Sequence, residues 1–583
     1  MTSRRLPFVA ALFAGAALIA QPAVAQDSAA YSASTTEIVQ PAAGSATFAN
    51  AMAQIRAQRW DAARATIDAM QDRDLASFAR AELFLAAGSP RVEGDALRNL
   101  IVGAPNLPQA AQLSRLAERR GMTGLPSLPS TQQLSWAGSS PRRGNPRSIA
   151  DSTAGVVRQS ILQRITEDDP AGAEAILTGV ETNLAPEALT EWRQRVAWSY
   201  YIENDDFNAR RMATLAQTGT GSWVAQADWT AGLAAWRQND CRAAMAAFRN
   251  VAGRATEPEV EASGHFWFAR AATACGEARE AEPAMRRAAA IPETFYGLLA
   301  AEVLGIQQRP QHEAVEQGAQ RRLAAYTNIR AAMDLAAAGD LALADEAIRH
   351  QARIGPGSDH SALSVLAGTL GLPQTQLFLA HNAPRGVRPD AAARFPTPAW
   401  QPATGWRVNP ALVFAHTLQE SQFRNSVVSP AGAIGLMQLM PGTARLMGLS
   451  GMGGNLTDPA TNLALGQAYI EHLRDSPATG GALPKVIAAY NAGPTPIARW
   501  NTDIRDNGDP LLWIESIPYW ETRAYVGTVL RNLWIYEVQL GTRSDSRAML
   551  AQGRWPRVPE ASAEARQMAS GRTIVVPGFT RAN

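Results

Sequence analysis

Along much of the chain, apolar and polar positions recur with the period of amphipathic helices. Alanine, leucine, glutamine, arginine and glutamate, which favour helices, dominate residues 46–393, whereas runs of β-branched residues are scarce there. Short polar turns separate one helical segment from the next. The pattern predicts an all-α region built from many consecutive helices.

The turns between these helices recur at a regular distance. Phe207, Cys241 and Cys275 each lie at a turn followed by an amphipathic helix, and both steps between them are about 34 residues. This period is typical of stacked helical hairpins, because a single hairpin buries its apolar face only by packing on the next one. We therefore expect a helical-repeat superhelix over 46–393, with its tryptophans and phenylalanines packed between helices.

Proline and glycine mark the boundaries of the predicted units. Five prolines fall within residues 384–402, a density that interrupts helices. A second domain is therefore predicted over 394–545, and recurring glycine and proline beyond it predict an irregular C-terminal tail over 546–583. The stretch 121–147, rich in proline, glycine and serine, is predicted to be a long loop.

The N-terminus has the pattern of an export signal. Arg4 and Arg5 precede an apolar run over residues 6–20, and small residues follow it. The apolar run is short for a bilayer span. We expect residues 1–25 to be removed on export to the periplasm and 26–45 to form a spacer; the alternative is an uncleaved N-terminal anchor.

The charge balance limits the possible partners. The chain carries 54 lysines and arginines against 52 acidic residues, a formal net charge of +2. Arg4 and Arg5 account for this excess, because residues 1–25 contain no acid, so the remainder is formally neutral. Phosphate binding needs a basic surface, and nucleic acid is therefore not the expected partner. After residue 25 no stretch approaches the length of an apolar membrane span, so no integral membrane segment is expected.

Two cysteines, Cys241 and Cys275, are the only ones in the chain. An oxidising compartment permits a disulfide between them, and two buried thiols are the alternative. Two thiols without a matching histidine or cysteine cluster predict no structural metal site.

One helix in the second domain carries a candidate catalytic carboxylate. Asn409 and Pro410 suit the start of a helix, as N-cap and first helical residue. Val413, Thr417 and Glu420 then share one largely apolar face. A carboxyl group at such a site is desolvated, which raises its pKa and lets it hold a proton for donation near neutral pH. Periodicity alone leaves open a glutamate at the exposed rim of the helix.

Three further blocks follow this helix. Residues 429–441 are dense in glycine and poor in charge, so the backbone can turn tightly and approach a ligand closely. Gln438 is an amide among apolar neighbours and suits a sugar hydroxyl or acetamido group. Downstream, residues 489–494 end a helix with an Asn-Ala-Gly turn, and residues 517–526 contain an Ile-Pro-Tyr step and Glu521.

The order of these four blocks resembles the catalytic domain of the soluble lytic murein transglycosylases, a lysozyme-like fold related to goose-type lysozyme. The resemblance covers about residues 409–534. It extends to the helical half through residues 295–301, whose aromatic-Tyr-Gly and Ala-Ala pattern recurs in the superhelical domain of the family. The resemblance implies a predominantly all-α protein, with a helical-repeat superhelix followed by a lysozyme-like α (α+β) catalytic domain.

The resemblance also implies a reaction. Glu420 would protonate the glycosidic oxygen of the β-1,4 bond between N-acetylmuramic acid and N-acetylglucosamine in peptidoglycan. The 2-acetamido group of the substrate would replace the second carboxylate that glycosidases usually use. Glu420 would then take a proton from the 6-hydroxyl, which closes a 1,6-anhydro ring. No cofactor is expected, the partner is the peptidoglycan strand, and the protein is expected to be a monomer.

Five further positions match family residues in the substrate groove. By resemblance, Ser429 and Gln438 contact the sugar around the reacting centre, and Met440 shapes the groove. Tyr490 lies near the catalytic glutamate, and Glu521 is a groove carboxylate. Structural support of the domain is the alternative for the last two. Four other positions are expected to be architectural: Ser421, Asn491, Gly435 and Arg523.

Other interpretations remain at this point. His416 lies four residues before Glu420, but no companion ligand has suitable spacing, so it is interpreted as a packed helix histidine. A hydrolytic muramidase of the same fold would add water where a transglycosylase uses the 6-hydroxyl. A helical-repeat scaffold that holds the cell wall without cleaving it is the alternative outside enzymes.

Overall fold

The computed structural model describes residues 43–307, 318–452 and 454–570. The predicted export signal over 1–25 lies outside these residues, and the first described helix begins at Ala43, within the predicted spacer. Helices make up nearly all of the regular structure that is described. None of the described helices combines the length and the apolar character that crossing a membrane requires.

Nineteen described α-helices precede residue 382. They are α1 (Ala43–Arg56), α2 (Trp60–Asp68), α3 (Arg73–Leu85), α4 (Gly94–Gly103), α5 (Ala110–Arg119), α6 (Ser152–Thr166), α7 (Pro170–Thr178), α8 (Pro186–Ile202), α9 (Asp206–Gln217), α10 (Val224–Arg237), α11 (Cys241–Arg254), α12 (Pro258–Ala274), α13 (Ala278–Ala289), α14 (Phe295–Val303), α15 (Ala319–Ala325), α16 (Thr327–Ala337), α17 (Leu341–Ile354), α18 (His360–Thr369) and α19 (Pro373–His381).

The C-terminal part contains nine further described α-helices. They are α20 (Pro410–Ser421), α21 (Pro441–Leu446), α22 (Pro459–Asp475), α23 (Leu483–Ala492), α24 (Pro494–Asp503), α25 (Pro510–Glu515), α26 (Trp520–Gln539), α27 (Asp545–Ala551) and α28 (Ala563–Ser570). The helix α26 is central, because α14, α20, α23 and α25 all pack against it.

The repeated turns share one local geometry. In each, a residue with positive φ is followed by an aspartate whose side chain accepts an N–H from the first turn of the next helix; the pairs are Asp168-Asp169, Asn204-Asp205, Asn239-Asp240 and Gly339-Asp340. Glycine, asparagine and aspartate tolerate the left-handed backbone better than other residues, and aspartate is a preferred N-cap. The recurring turn sequence therefore ends one helix and starts the next.

The helices before residue 382 contribute to two hydrophobic cores. The side chains of α1–α5 share one core with those of α15–α19, and α1 and α3 pack directly on α16. The core of α6–α14 is instead continuous with that of the C-terminal helices. The helical array thus returns on itself at one end and supports the C-terminal helices at the other.

Aromatic residues in the middle of the array pack between helices, as predicted, but Phe207 at one of the repeated turns is 71% exposed. Trp229, Phe248, Trp267 and Tyr296 are buried, and each ring contacts at least one other ring of this group. Aromatic pairs of this kind contribute about 1 kcal/mol beyond their buried area.

The two cysteines, for which the sequence left two alternatives, form a disulfide that joins the start of α11 to the residue after α12.

The segment 121–147, predicted to be a long loop, has no helix and connects the two cores. Its strand β1 (Ser135–Trp136) pairs antiparallel with β2 (Asn382–Ala383). The backbone of Gln132 donates a hydrogen bond to the last turn of α17. Further along, Arg143 forms an ion pair with the last residue of α25. The segment therefore contacts both the returning end of the array and the C-terminal helices.

The predicted irregular tail over 546–583 is wrong for its described part. It contains α28 and all of α27 except the first residue, and Leu550 and Ala565 are buried. Isolated bridges also join Glu560 to Val408 and Arg557 to Ala482. Glycine and proline between the short helices concealed their apolar positions, which become buried only against the C-terminal core. Residues 571–583 lie outside the described residues.

Candidate active site

Glu420 lies in the last turn of α20, where the helix leaves the core. The side chain of Asn409 accepts the N–H of Ala411, as expected of an N-cap before proline. Residues 411–417 are buried, whereas Glu420 is half-buried. Gln422 caps the helix in the left-handed conformation, with φ of 54°, so the chain turns away directly after the carboxylate. Glu420 therefore lies at the boundary between the hydrophobic core and solvent.

Two hydrogen bonds in series connect α20 to α26. The hydroxyl of Tyr525 donates to Oε1 of Glu420 at 2.6 Å, and the same hydroxyl lies 2.8 Å from Nδ1 of His416. His416 and Glu420 are four residues apart on one helix, so both face the same turn of α26. One tyrosine therefore contacts the carboxylate and the buried histidine at once.

The surroundings of Glu420 favour its protonated form. Burial, helped by the negative charge of Glu521 and opposed by the hydrogen bond from Tyr525, raises the pKa of Glu420 to about 7. Desolvation and a nearby like charge both disfavour a carboxylate. Glu420 can therefore hold a proton near neutral pH, which a general acid requires.

Other acids in this region are engaged elsewhere. Asp458 caps α22 through the N–H of Thr461, and Glu471 forms an ion pair with Arg407. Glu521 is exposed at the start of α26. Among the described residues, no group of three or more histidine, cysteine, aspartate or glutamate side chains is arranged to hold a metal ion. Among the described acids of the C-terminal helices, Glu537 of α26 also has a pKa raised by burial, to about 8, but it is 2% exposed, whereas Glu420 is half-buried at the edge of the core.

The glycine-rich block folds into a compact loop beside α20. Isolated bridges pair Ile434 with Val428 and with Leu439. The Ser429 hydroxyl accepts the N–H of Ala433 at 3.0 Å, and the Ser429 N–H donates to the Ala433 carbonyl at 2.9 Å. The hydroxyl predicted to contact the sugar therefore also closes the turn that shapes the loop.

Gln438 is fixed from one end of its amide. Its Nε2 donates to the carbonyls of Gly435 at 2.8 Å and Val427 at 3.2 Å. The side chain is half-buried and its φ of 47° lies in the left-handed region. Because Nε2 donates to the loop, Oε1 is the atom that can accept a hydrogen bond from a sugar hydroxyl. Met440, directly before α21, is 44% exposed at the edge of this loop.

Tyr490 of α23 packs against α20 beside His416. Its ring is 4.4 Å from the ring of His416 and 5.3 Å from that of Tyr469. Its hydroxyl donates to the Met437 carbonyl at 2.8 Å. Tyr490 therefore joins α23 to both α20 and the glycine-rich loop, and the negative charge of Glu420 contributes to raising its pKa.

Two important residues received no role from the sequence. Asn462 of α22 is fully buried; its Oδ1 accepts the Met437 N–H, and its Nδ2 donates to the carbonyls of Ile434 and Leu456. Tyr525 was part of a matching block, but nothing pointed to its hydroxyl. For Asn462 the signal in the sequence is a single amide on an otherwise apolar helix face. For Tyr525 it is the four-residue spacing from Glu521, which places both side chains on one face of a helix.

The residues expected to be architectural make contacts within the protein. The Ser421 hydroxyl donates to the Leu436 carbonyl, and Oδ1 of Asn491 accepts from Thr522. At Gly435 an added Cβ would meet Asn462 and Leu456 at 2.3 and 2.4 Å. The fourth of these residues, an arginine of α26, belongs to a buried charged cluster.

A buried charged cluster fixes α26 on the helical array. Glu515, the last residue of α25, accepts hydrogen bonds from Tyr296 of α14 and from Arg143, both at 2.6 Å. Arg523 donates to the Glu515 carbonyl and stacks on Trp198 of α8 at 4.1 Å. Burial lowers the pKa of Arg523 to about 10. The helix that carries Tyr525 is therefore held by residues from distant parts of the chain.

Comparisons with known sequences agree on the C-terminal region. The family model of the transglycosylase SLT domain matches residues 398–510. The soluble lytic murein transglycosylase of Escherichia coli K12 is 34% identical over 160 residues, which is 26% of this chain and 24% of that protein. The endo-type membrane-bound lytic murein transglycosylase A of Klebsiella pneumoniae 342 is 31% identical over 140 residues, 21% of this chain and 69% of that protein. The chain thus spans about a quarter of the length of the soluble relative.

Solved structures extend the likeness to nearly the whole chain. The 70-kDa soluble lytic transglycosylase of Escherichia coli matches with a TM-score of 0.52 at 18% identity, over 89% of this chain and 100% of that one. An inactive mutant of the lytic transglycosylase Slt of Pseudomonas aeruginosa matches with a TM-score of 0.50 at 20% identity, over 86% and 82%. These matches confirm the predicted fold class of a helical superhelix followed by a lysozyme-like domain.

Proposed function

The chain belongs to the family of lytic murein transglycosylases with an SLT domain, and on this basis we propose that it cleaves peptidoglycan as a lytic transglycosylase. The observation that carries the proposal is the half-buried carboxyl of Glu420, whose pKa is raised to about 7 beside the Tyr525 hydroxyl. The site suits one carboxyl group that gives a proton and later takes one back.

In the proposed first step Glu420 acts as a general acid. The Tyr525 hydroxyl occupies Oε1, which leaves Oε2 to carry the proton. That proton passes to the glycosidic oxygen between N-acetylmuramic acid and N-acetylglucosamine as the bond from this oxygen to C1 breaks. The acetamido carbonyl oxygen of the substrate bonds to C1 in its place, so no second carboxylate of the protein is needed.

In the proposed second step Glu420 acts as a general base. The oxygen of the 6-hydroxyl bonds to C1, the bond from C1 to the acetamido oxygen breaks, and Glu420 takes the hydroxyl proton. The product ends in 1,6-anhydro-N-acetylmuramic acid, and Glu420 is again protonated. Since no water is consumed, the product is one water lighter than that of a hydrolytic muramidase.

The loop residues provide the proposed sugar contacts. Oε1 of Gln438 and the Ser429 hydroxyl would accept hydrogen bonds from the substrate, and Met440 would form an apolar edge of the groove. Tyr490 supports the site through His416 and the Met437 carbonyl. The proposed role of Glu521 is to keep Glu420 protonated by its charge.

The proposed domains follow one another along the chain. Residues 46–393 form the superhelix, 394–545 the catalytic domain, and α27 and α28 an extension of its core. We propose that 1–25 direct export to the periplasm, where peptidoglycan lies, and that the enzyme acts as a monomer.

The proposal is tested with purified sacculi and two matched variants. Glu420→Gln keeps size and hydrogen bonding but cannot donate a proton, so lysis should fall by about two to four orders of magnitude. Glu471→Gln makes the same chemical change at an acid of α22 that pairs with Arg407, and it should retain most activity. Undiminished lysis by Glu420→Gln would show that Glu420 is not the acid, and an inert wild-type protein would favour the scaffold alternative.

A further inference from the structure

The proposed reaction gives no role to the buried histidine beside Tyr525. His416 is 0% exposed, and its Nδ1 lies 2.8 Å from the Tyr525 hydroxyl. We infer that His416 is a positioning residue, which donates from Nδ1 to Tyr525 and so fixes the acid proton of Glu420 on Oε2. The inference rests on the proposed function for its catalytic meaning, whereas the hydrogen-bond direction can be measured without any activity.

The protons available on the three groups determine the direction of the two hydrogen bonds. An ionised carboxylate only accepts, and the Tyr525 hydroxyl has one proton to give. At 2.6 Å from Oε1 of Glu420 that proton points to the carboxylate. The tyrosine oxygen is then an acceptor towards His416, whose Nδ1 carries the donating hydrogen. The opposite direction would place an oxygen lone pair against the negative charge.

His416 is suited to a fixed neutral state. Burial lowers the pKa of His416 to about 3, so the ring carries one proton near neutral pH. Nε2 is buried, and no hydrogen-bond partner for it lies among the described residues. While Tyr525 donates to Glu420, moving the histidine proton from Nδ1 to Nε2 would break the hydrogen bond to the tyrosine oxygen and set two lone pairs against each other, which costs about 1–3 kcal/mol. The ring therefore resists the change of tautomer.

This resistance determines where Glu420 carries its acid proton. A proton on Oε1 would have to point at Tyr525, which would then donate to His416 and force the proton of the histidine onto Nε2. Because the ionised carboxylate formed on donation needs the Tyr525 proton towards Oε1 and the histidine proton on Nδ1, an acid proton on Oε1 would require both of these protons to move, so the proton of Glu420 belongs on Oε2. The proposed reaction needs the proton there, because Tyr525 already donates to Oε1 and Oε2 is the other oxygen of the carboxyl group.

The packing around His416 holds the ring in this orientation. Tyr490 of α23 lies 4.4 Å from it and Tyr525 of α26 lies 5.9 Å from it, ring centre to ring centre. These tyrosines are the titratable groups that contact the ring. Beyond them lie Glu521 on α26 and Tyr469 on α22, which act on Glu420 and Tyr490 respectively. The interpretation of His416 as a packed helix residue was therefore incomplete.

The first test is the tautomer of His416 in the full wild-type chain. Histidine labelled with nitrogen-15 gives separate signals for its two ring nitrogens, and the chain has only 7 histidines. The His416 signals, identified by their loss in His416→Asn, should show a protonated Nδ1 and a bare Nε2 that do not titrate near neutral pH. A protonated Nε2 would overturn the inference, whether or not the protein proves to be a transglycosylase.

The second test is a double-mutant cycle read from the pH profile of kcat/KM. Tyr525→Phe removes the hydroxyl and should move the alkaline midpoint up by about 1–2 pH units. In the wild type, the hydrogen bond from His416 makes Tyr525 a stronger donor to Glu420. His416→Leu removes this effect and should move the midpoint up by a few tenths of a unit. His416→Asn, whose amide places an N–H near Nδ1, should return the midpoint most of the way to its wild-type value.

The cycle separates positioning from general support of the fold. In the Tyr525→Phe background, His416→Leu should produce no further shift of the midpoint. An equal shift in both backgrounds, or an equal shift in His416→Leu and His416→Asn, would contradict the inference. If the products lack anhydro ends, the proposed function fails, while the tautomer still decides the role of His416.

Discussion

The hydroxyl of Tyr525 donates a 2.6 Å hydrogen bond to Oε1 of Glu420, although the two residues are 105 positions apart. The bond exists because α20 and α26 pack together along their buried faces. It stabilises the ionised carboxylate, whereas burial and Glu521 destabilise it. The balance leaves a carboxyl group that changes its protonation state near neutral pH, as a group that acts first as acid and then as base requires.

The alkaline limb of the activity profile should report Glu420. Its protonated form starts the reaction and prevails below its pKa of about 7, so kcat/KM should fall as pH rises through about 7. Glu521→Gln removes a negative charge and should lower this midpoint by a few tenths of a unit. The shift should fade at about 1 M salt, which screens exposed charges. A shift that persists unchanged at high salt would contradict a through-space effect.

Glu420 should also make the folded state less stable at alkaline pH. Its folded pKa of about 7 exceeds the ordinary 4.5, so its contribution to stability is present below 4.5 and is lost as pH rises through 7. At about pH 8.5 the free energy of unfolding of Glu420→Gln should therefore exceed that of the wild type by about 1–3 kcal/mol. The variant should accordingly unfold at a higher temperature. The difference should shrink towards about pH 4.5. An advantage that does not depend on pH would count against the raised pKa.

Close packing at Gly435 should distinguish it from Gly432. Both glycines have positive φ, 82° and 88°, so an alanine is strained at either position by about 1–2 kcal/mol. Only at Gly435 would the Cβ also meet Asn462 and Leu456, at 2.3 and 2.4 Å. Gly435→Ala should lose both stability and activity, whereas Gly432→Ala should lose little activity. Thermal unfolding and sacculus lysis measure the two effects, and equal losses would refute the argument.

The buried ion pair between Arg143 and Glu515 should matter for stability. Glu515 has a side-chain exposure of 2%, so Arg143→Met leaves a buried acid without its ionic partner and should cost about 3–5 kcal/mol. Adding Glu515→Gln should recover part of this loss. Arg286→Met is the matched control, because its ion pair with Glu282 is exposed and should contribute less than about 1 kcal/mol. Unfolding of all four proteins should show this order, and a small loss for Arg143→Met would contradict it.

The local parts of this architecture could be read from the sequence. The recurring Asn-Asp and Asp-Asp turns carry their own start and stop signals, and the apolar face around Glu420 follows from helical spacing. These features depend on a few consecutive residues. The superhelix and the raised pKa of Glu420 were therefore within reach of sequence reasoning.

Long-range contacts could not be read in this way. Tyr525 meets Glu420 only because α26 is placed by the cluster around Glu515, whose partners come from α14 and the segment 121–147. Asn462 holds the glycine-rich loop from a helix that starts after it. The helices α27 and α28 become stable only against the C-terminal core. In each case the decisive partner is distant in sequence.

In the proposed reaction Glu420 takes its second proton from the 6-hydroxyl of the substrate and not from water. It is tested most directly by digesting sacculi in water enriched with heavy oxygen and weighing the released muropeptides. We expect anhydro products that carry no label and are one water lighter than reducing products. Reducing products that carry the heavy oxygen at C1 would contradict it and identify the protein as a hydrolytic muramidase.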